Sequence, residues 1–199
     1  MKTKKPNISK KIRVTKKVNL HLGCWKRNIP GFINVDICDL PHIHYKRSVD
    51  DLSIFPNSRA NLIYASHVFE YFDRVKGKEV LKEWYRVLAP GGVLRLAVPD
   101  FEKLVTVYKK YKTLDKIIGP LFGRMPIMTK KGENILYHKT VYDFESLKNI
   151  LESVGFKKVR RYDWKKTIHK DYDDHSQAYI PHMDKKHGLL ISLNVEANK

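Results

Sequence analysis

Val18, Leu20 and Leu22 alternate with Asn19 and His21, the period-two spacing of a strand with one buried face. Gly23 ends that run. Phe32–Ile37 (FINVDI) is a second strand-length run, with Asp36 near its carboxyl end. Only Gly23–Gly31 separates the two, whereas a parallel crossover normally takes a dozen or more residues. Pro30-Gly31 is a turn signal directly before the second strand, so the crossover helix is expected to shrink to about one turn. His44–Val49 reads as a short third strand. Ala60–Ala65 (ANLIYA) is a continuous apolar run, as for a strand buried on both faces. Lys78–Leu88 places Val80, Leu81, Trp84, Val87 and Leu88 on one helical face, and Ala89-Pro90-Gly91-Gly92 stops that helix. Val93–Val98 is the next strand. Asp100 caps a predicted helix from Phe101 to about Tyr111; Asp143 caps another over Phe144–Val154, which Gly155 ends. Lys158–Tyr162 and Leu189–Val195 read as the last two strands. Strand, helix and glycine turn recur in alternation, which predicts an α/β domain with a mostly parallel sheet.

Two stretches resist this pattern. Residues 112–140 are broken by Gly119, Pro120, Gly123, Pro126 and Gly132, the composition of a lid or acceptor-binding insertion. Residues 163–188 are dense in Asp, His and Tyr. The short connections after the first two strands leave one sheet face bare, and either the stretch around 164–183 or a second subunit is expected to cover it.

Composition narrows the class. At 199 residues and 42% hydrophobic, the chain can build one domain with a sizeable core, expected over residues 17–199. Residues 1–16 read as a flexible basic arm. No run of about 18 apolar residues occurs, and the basic N-terminus lacks the apolar stretch of a secretory signal. Cys24 and Cys38 are the only cysteines, so no disulfide framework is implied and a cytoplasmic setting is expected. The net charge of +18 would suit a phosphate backbone, but Arg-rich clusters interleaved with aromatics are missing, and nucleic acid is not the favoured partner.

A strand, a glycine turn, a second strand and an acid at its tip suit a nucleoside: backbone can approach at Gly23, and Asp36 can accept from two ribose hydroxyls. The segments LHLGC (20–24), INVDI (33–37), DDL (50–52), NLIYASHVFEYF (61–72), VLKEWYRVLAPGGVLRLAVPDF (80–101) and LLISLNVEA (189–197) together resemble the class I S-adenosylmethionine-dependent methyltransferases, in particular small members associated with polysaccharide biosynthesis. The resemblance implies a Rossmann-like sheet of seven strands with one antiparallel, and S-adenosylmethionine as cofactor. It places Gly23 and Cys24 at the methionine portion, Asp36 at the ribose, Asp51 and Leu52 at the adenine, and Ser66 and His67 beside the sulfonium and acceptor. Trp25 stands where the family has a glycine, Asn61 where it has Asp, and Glu70-Tyr71 where it has Glu-His. A bulky indole at a close-approach position opens the alternative of a non-catalytic member.

Methyl transfer to a hydroxyl needs a base, and histidine suits neutral pH. His67, at the carboxyl edge of the fourth strand, is the first candidate and Asp100 the second. His138 in the lid, and Asp173, Asp174, His175 and Tyr179 in the polar stretch, are candidate acceptor contacts. The Asp171–Tyr179 segment lacks the Gly and distal Glu of a calcium loop, so no metal is expected. The expected activity is O-methylation of a sugar or polysaccharide precursor, by a chain that could pair as a homodimer. The alternatives are a nucleic-acid methyltransferase tethered by the arm, or the non-catalytic binding protein.

Overall fold

The computed structural model describes residues 18–129 and 132–199, so the basic arm expected over residues 1–16 lies outside the described residues. The strands are β1 (Val18–Leu22), β2 (Phe32–Asp36), β3 (Tyr45–Lys46), β4 (Ala60–Ser66), β5 (Leu88–Pro99), β6 (Met125–Thr129), β7 (Gly132–Leu136), β8 (Lys157–Arg161), β9 (Tyr179–Ile180), β10 (Leu189–Leu190) and β11 (Ser192–Asn198). The helices are α1 (Arg74–Val87), α2 (Phe101–Tyr111), α3 (Ile118–Phe122) and α4 (Phe144–Val154). Seven strands form the main sheet in the order β3-β2-β1-β4-β5-β11-β8. Only β11 runs antiparallel to its neighbours, β5 and β8. β6 and β7 make a hairpin inside the 112–140 stretch, and β9 and β10 pair separately.

The helices predicted after Asp100 and Asp143 stand where their caps place them, whereas α1 starts four residues before the expected Lys78 and gives way at Leu88 to β5, which takes in Ala89–Gly92. Asp73 caps α1 by accepting from the Val75 and Lys76 N–H groups, and Val80, Leu81, Trp84 and Val87 are buried. Asp143 and Ser146 form a reciprocal capping box on α4, which ends on Gly155 at φ 115°. The third strand is shorter than His44–Val49, only Tyr45–Lys46, and both of its residues are exposed.

The connections 23–31, 37–44 and 47–59 carry no helix. In the first, the expected helical turn is a pair of single hydrogen-bonded turns, Arg27 N–H to Cys24 O and Phe32 N–H to Ile29 O. The third is pinned to α1 by side chains: Trp84 Nε1 donates to Val49 O at 2.7 Å, and the Arg86 guanidinium donates to Leu52 O, Phe55 O and Asn57 Oδ1.

The two sheet faces differ in chemistry. One carries Leu20, Leu22, Val35, Ile63, Leu94, Leu96, Leu193 and Val195 and packs under α1 and α4 as the main core. Each such side chain is worth about 1.5–3 kcal/mol when fully buried. On the opposite face, register lines up Asn34, His21, Tyr64, Arg95, Glu196 and Arg160 as a polar row across six strands. The segment 164–180 covers it, as expected from the short crossovers. His169 stacks on Tyr64 with ring centres 3.9 Å apart, and Tyr64 stacks on His21 at 5.1 Å. The Tyr64 hydroxyl donates to Asp174, and Asn194 Nδ2 donates to Ser176 O at 2.8 Å.

Burial lowers His21 and His169 to about 4, against the opposing pull of the Asp174 carboxylate. Both folded values lie below the unfolded 6.5, so the unfolded chain binds more protons between those limits. Stability is therefore expected to be complete above pH 6.5 and to fall as the pH drops toward 4, by up to about 3 kcal/mol per histidine. Denaturant unfolding from pH 4 to 7 measures this slope, and His169→Gln should remove one histidine's share of it.

Candidate functional site

The candidate site lies along the carboxyl ends of β1, β2, β4 and β5, the side of an open α/β sheet where ligands bind. Because β11 is antiparallel, its first residue, Ser192, arrives at this same edge, opposite Pro99.

At the tips of β1 and β2, the backbone folds around Asp36. Its Oδ2 accepts from the Trp25 N–H and its Oδ1 from the Cys38 N–H, both at 2.8 Å. A carboxylate offers about four acceptor directions. The Cys38 thiol also bonds to this carboxylate, which leaves it about one direction beyond the loop contacts, and Asp36 is only 5% exposed. Trp25 adopts φ 44°, the left-handed conformation that the family's glycine would take without strain. Its carbonyl accepts from His42 Nε2 at 2.6 Å, and its half-buried indole lies against two cations, Lys26 Nζ at 4.7 Å and Arg27 Cζ at 5.5 Å. Gly23, at φ 64°, is required by packing: a Cβ there would sit 2.0 Å from Val68 Cγ2. Cys24 is buried, and desolvation raises its thiol to about 12.

Asp51 remains on the surface, paired to Arg47 at 2.7 Å. Leu52 does not reach a ligand surface. Its side chain is wholly buried in the core, and its N–H and C=O are taken by Glu83 and Arg86. The D-L dipeptide of the sequence motif thus splits into a surface acid and a core anchor.

The histidine cluster sits at the end of β4. His67 has φ 51°, so the chain turns back and carries its ring over the sheet edge. Its Nε2 lies 3.1 Å from Ser192 Oγ, and its Nδ1 approaches Glu70 Oε1 at 3.3 Å. Glu70 is fully buried, and His138 Nε2, just after β7, reaches the same carboxyl oxygen at 3.7 Å. The His175 ring stands 5.2 Å from that of His67. Neither Glu70 oxygen has an aligned hydrogen-bond partner, and the buried Ser66 Oγ has none either. Desolvation pushes Glu70 up to about 8 and His67 well below the ordinary 6.5, so the pair favours its neutral form.

The structure thus gathers His67, His138 and His175, and adds Glu70 and Ser192, which sequence reasoning did not assign to the site. Glu70 three residues after His67 on a tight turn was the available signal; nothing local marks Ser192, which long-range pairing delivers. Asp100 is not placed as a base. It is 1% exposed, caps α2 through the Lys103 N–H, and pairs with Arg161 at 3.1 Å. Asp174 is committed to Tyr64 and the Ser176 N–H, Asp173 pairs with Lys185, and the Tyr179 hydroxyl accepts from Trp164 Nε1. Asp174 and Tyr179 hold the cover on the polar row, Asp173 remains on its outer surface, and only His175 of that stretch reaches the cluster. Among the described residues no group of three or more His, Cys, Asp or Glu is arranged to hold a metal ion.

The sheet order with one antiparallel strand, and an acid at the tip of β2, is the architecture of class I S-adenosylmethionine-dependent methyltransferases. Solved methyltransferases share it. One from Archaeoglobus fulgidus is 16% identical with TM-score 0.54, covering 92% of this chain and 86% of that one. One from Methanosarcina mazei is 15% identical with TM-score 0.52, covering 92% of both. A general methyltransferase-domain model matches residues 32–96. The chain belongs to the ubiE/COQ5 methyltransferase family, whose model matches residues 69–171, just over half of its length. A curated demethylmenaquinone methyltransferase of Staphylococcus haemolyticus is 33% identical over 84 residues, which is 40% of this chain and 34% of that protein. The chain therefore matches about a third of that relative's length.

S-adenosylmethionine is the family's cofactor, and the residues present fit it: Asp36, at the tip of β2, retains acceptor capacity beyond its loop contacts, and the buried Ser66 Oγ at the tip of β4 has no hydrogen-bond partner. Asp36→Asn keeps the shape but leaves an NH2 facing one of the two loop N–H groups. We expect a loss of about 1–3 kcal/mol of stability and a smaller thermal shift with S-adenosylhomocysteine, both read by melting with and without ligand.

Proposed function

We propose that this chain transfers a methyl group from S-adenosylmethionine to a hydroxyl oxygen of a sugar or polysaccharide precursor, with His67 as the general base. The observation that supports this most is the His67 ring held between Glu70 and Ser192 at the end of β4. When bound, the cofactor supplies an electrophilic methyl carbon for in-line displacement. Asp36, Gly23, Cys24, Asp51 and Ser66 would hold it, and His138 and His175 would contact the acceptor. A cytoplasmic setting and a homodimer are part of the same reading. A tethered nucleic-acid acceptor is the less favoured one, since the basic arm alone suggests it.

The protein's part is to manage one proton. Ser192 Oγ donates to Asn194 Oδ1, whose amide is fixed by the bond from Nδ2 to Ser176 O. Ser192 therefore accepts from His67, which places the histidine proton on Nε2 and turns the bare Nδ1 toward a protonated Glu70. In that state His67 is not a base toward the acceptor. When Glu70 loses its proton, the carboxylate draws the histidine proton to Nδ1, and Nε2 becomes free to take a proton from an acceptor hydroxyl. Glu70 is a positioning residue that sets the tautomer.

The demethylmenaquinone methyltransferase similarity favours a second reading, a quinol-type acceptor. The lining histidines, Glu70 and Ser192 speak for a polar acceptor instead. Methyl transfer assayed with sugar or nucleotide-sugar acceptors beside a short-chain naphthoquinol decides between them: turnover of the naphthoquinol alone would overturn the hydroxyl reading. Copurifying S-adenosylhomocysteine, detected by mass in the denatured protein, would support binding. No ligand and no thermal shift at millimolar S-adenosylmethionine would instead mark the chain as non-catalytic. The rate is expected to rise through an inflection near pH 8 as Glu70 ionises. Glu70→Gln, whose amide can donate to Nδ1, should lose about 10²–10⁴-fold in kcat together with that inflection. Trp25→Gly should change cofactor affinity by less than about threefold if the indole stands clear of the cofactor; a gain of tenfold or more would show that it obstructs.

A further inference from the structure

We propose that the face built by the end of α2, the 112–117 loop, α3 and the β6–β7 hairpin docks on an anionic lipid surface. Of thirteen exposed large hydrophobic residues among those described, eight fall between Phe101 and Val141. Leu114, Ile118, Phe122, Met128 and Tyr137 are 49–79% exposed. α3 shows why this is more than scatter. Its Leu121 packs inward on the small cluster of Leu104, Val107, Ile117 and Ile191, while Ile118 and Phe122, one turn apart, point outward with no buried residue on the helix.

The charge around these tips has one sign. Lys109, Lys110, Lys112, Lys116 and Arg124 are all exposed, and Asp115 is the only acid between 109 and 129. None of the five cations is ion-paired among the described residues; Lys110 and Lys116 lie beside the Tyr111 ring, at 5.3 and 5.9 Å. Aliphatic tips interleaved with unpaired cations match the acyl boundary and headgroup layer of an anionic bilayer. A nucleic-acid backbone would use the cations but gives Leu114, Ile118 and Met128 nothing to bury against. The face is also tied to the site. His138 follows the hairpin and contacts Pro120 O at 3.0 Å, its ring packs edge-on against Tyr71, and its Nε2 reaches Glu70. A lid resting on lipid would thus hold the acceptor side of the histidine cluster against the membrane surface. This docking is independent of which acceptor is methylated.

The test is co-sedimentation of the full chain with vesicles of phosphatidylcholine alone and of phosphatidylcholine with phosphatidylglycerol. Binding to the anionic vesicles, weakened by salt, is expected. Phe122→Ser with Met128→Ser should lower the partition coefficient about tenfold, and Lys110→Glu with Lys116→Glu at least as much. All four positions are exposed, so the melting temperature should hold, which separates lost docking from lost folding. The proposal is overturned if neither vesicle binds. It is equally overturned if both double variants bind like the parent, since the basic segment before residue 18 would then carry the attraction. Stronger retention on single-stranded RNA than on anionic vesicles would also overturn it.

Discussion

A polar sheet face governs this structure. Three consecutive parallel connections lack the helices that normally cover a sheet on one side, and the exposed row is not apolar: Asn34, His21, Tyr64, Arg95, Glu196 and Arg160 lie in register across it. Glu196 binds Arg95 at 3.0 Å and Arg160 at 2.6 Å; Tyr64 takes the His169 ring and the Asp174 carboxylate from residues 164–180, and His21 stacks on Tyr64 beneath them. Apolar packing could be met by many partners, but buried polar groups need particular ones. The cover is therefore specified residue by residue, and Asp174 is spent on it.

That expenditure explains how the site is distributed. The Asp- and Tyr-rich stretch looks like a binding surface because polar density usually means ligand, yet Asp174 and Tyr179 work inward as fasteners, and Asp173 stays on the surface in an ion pair with Lys185. The unpartnered and titratable side chains gather instead at the carboxyl end of β4, where His67 and Glu70 meet Ser192. One segment serves both ends: it closes the polar row through Asp174 and presents the next residue, His175, to the cluster.

Much of the fold was legible from local signals. Period-two alternation marked β1, strand-length apolar runs marked β2 and β4, and Asp143 with Gly155 bracketed α4 to the residue. The bare face was deducible from connection length alone, by counting Gly23–Gly31 against what a crossover needs. The site was less readable. Asp36 and His67 stood at strand tips where pattern pointed, but Asp100 met the same rule and proved to be a helix cap paired to Arg161, since an acid before a helix serves either purpose. Leu52 shared a motif with Asp51, although adjacent residues on an extended chain face opposite ways. Ser192 could not be found from sequence at all, because its partner lies 125 positions away and only the antiparallel pairing of β11 brings them together.

The placement of β11 has a consequence for the order in which the molecule is assembled. It is the latest strand along the chain, yet it sits inside the sheet, with β8 attached to the rest only through it. Until it docks, the β3–β5 half is an open sheet with an unpaired edge, and His67 lacks its hydroxyl neighbour. The hydrogen-bond chain from Asn194 through Ser192 to His67 is thus completed by the same closure that seals the sheet, a long-range pairing of the slow-forming kind. A partly folded chain would then have an architecture that is almost whole and a His67 ring still without its hydroxyl partner.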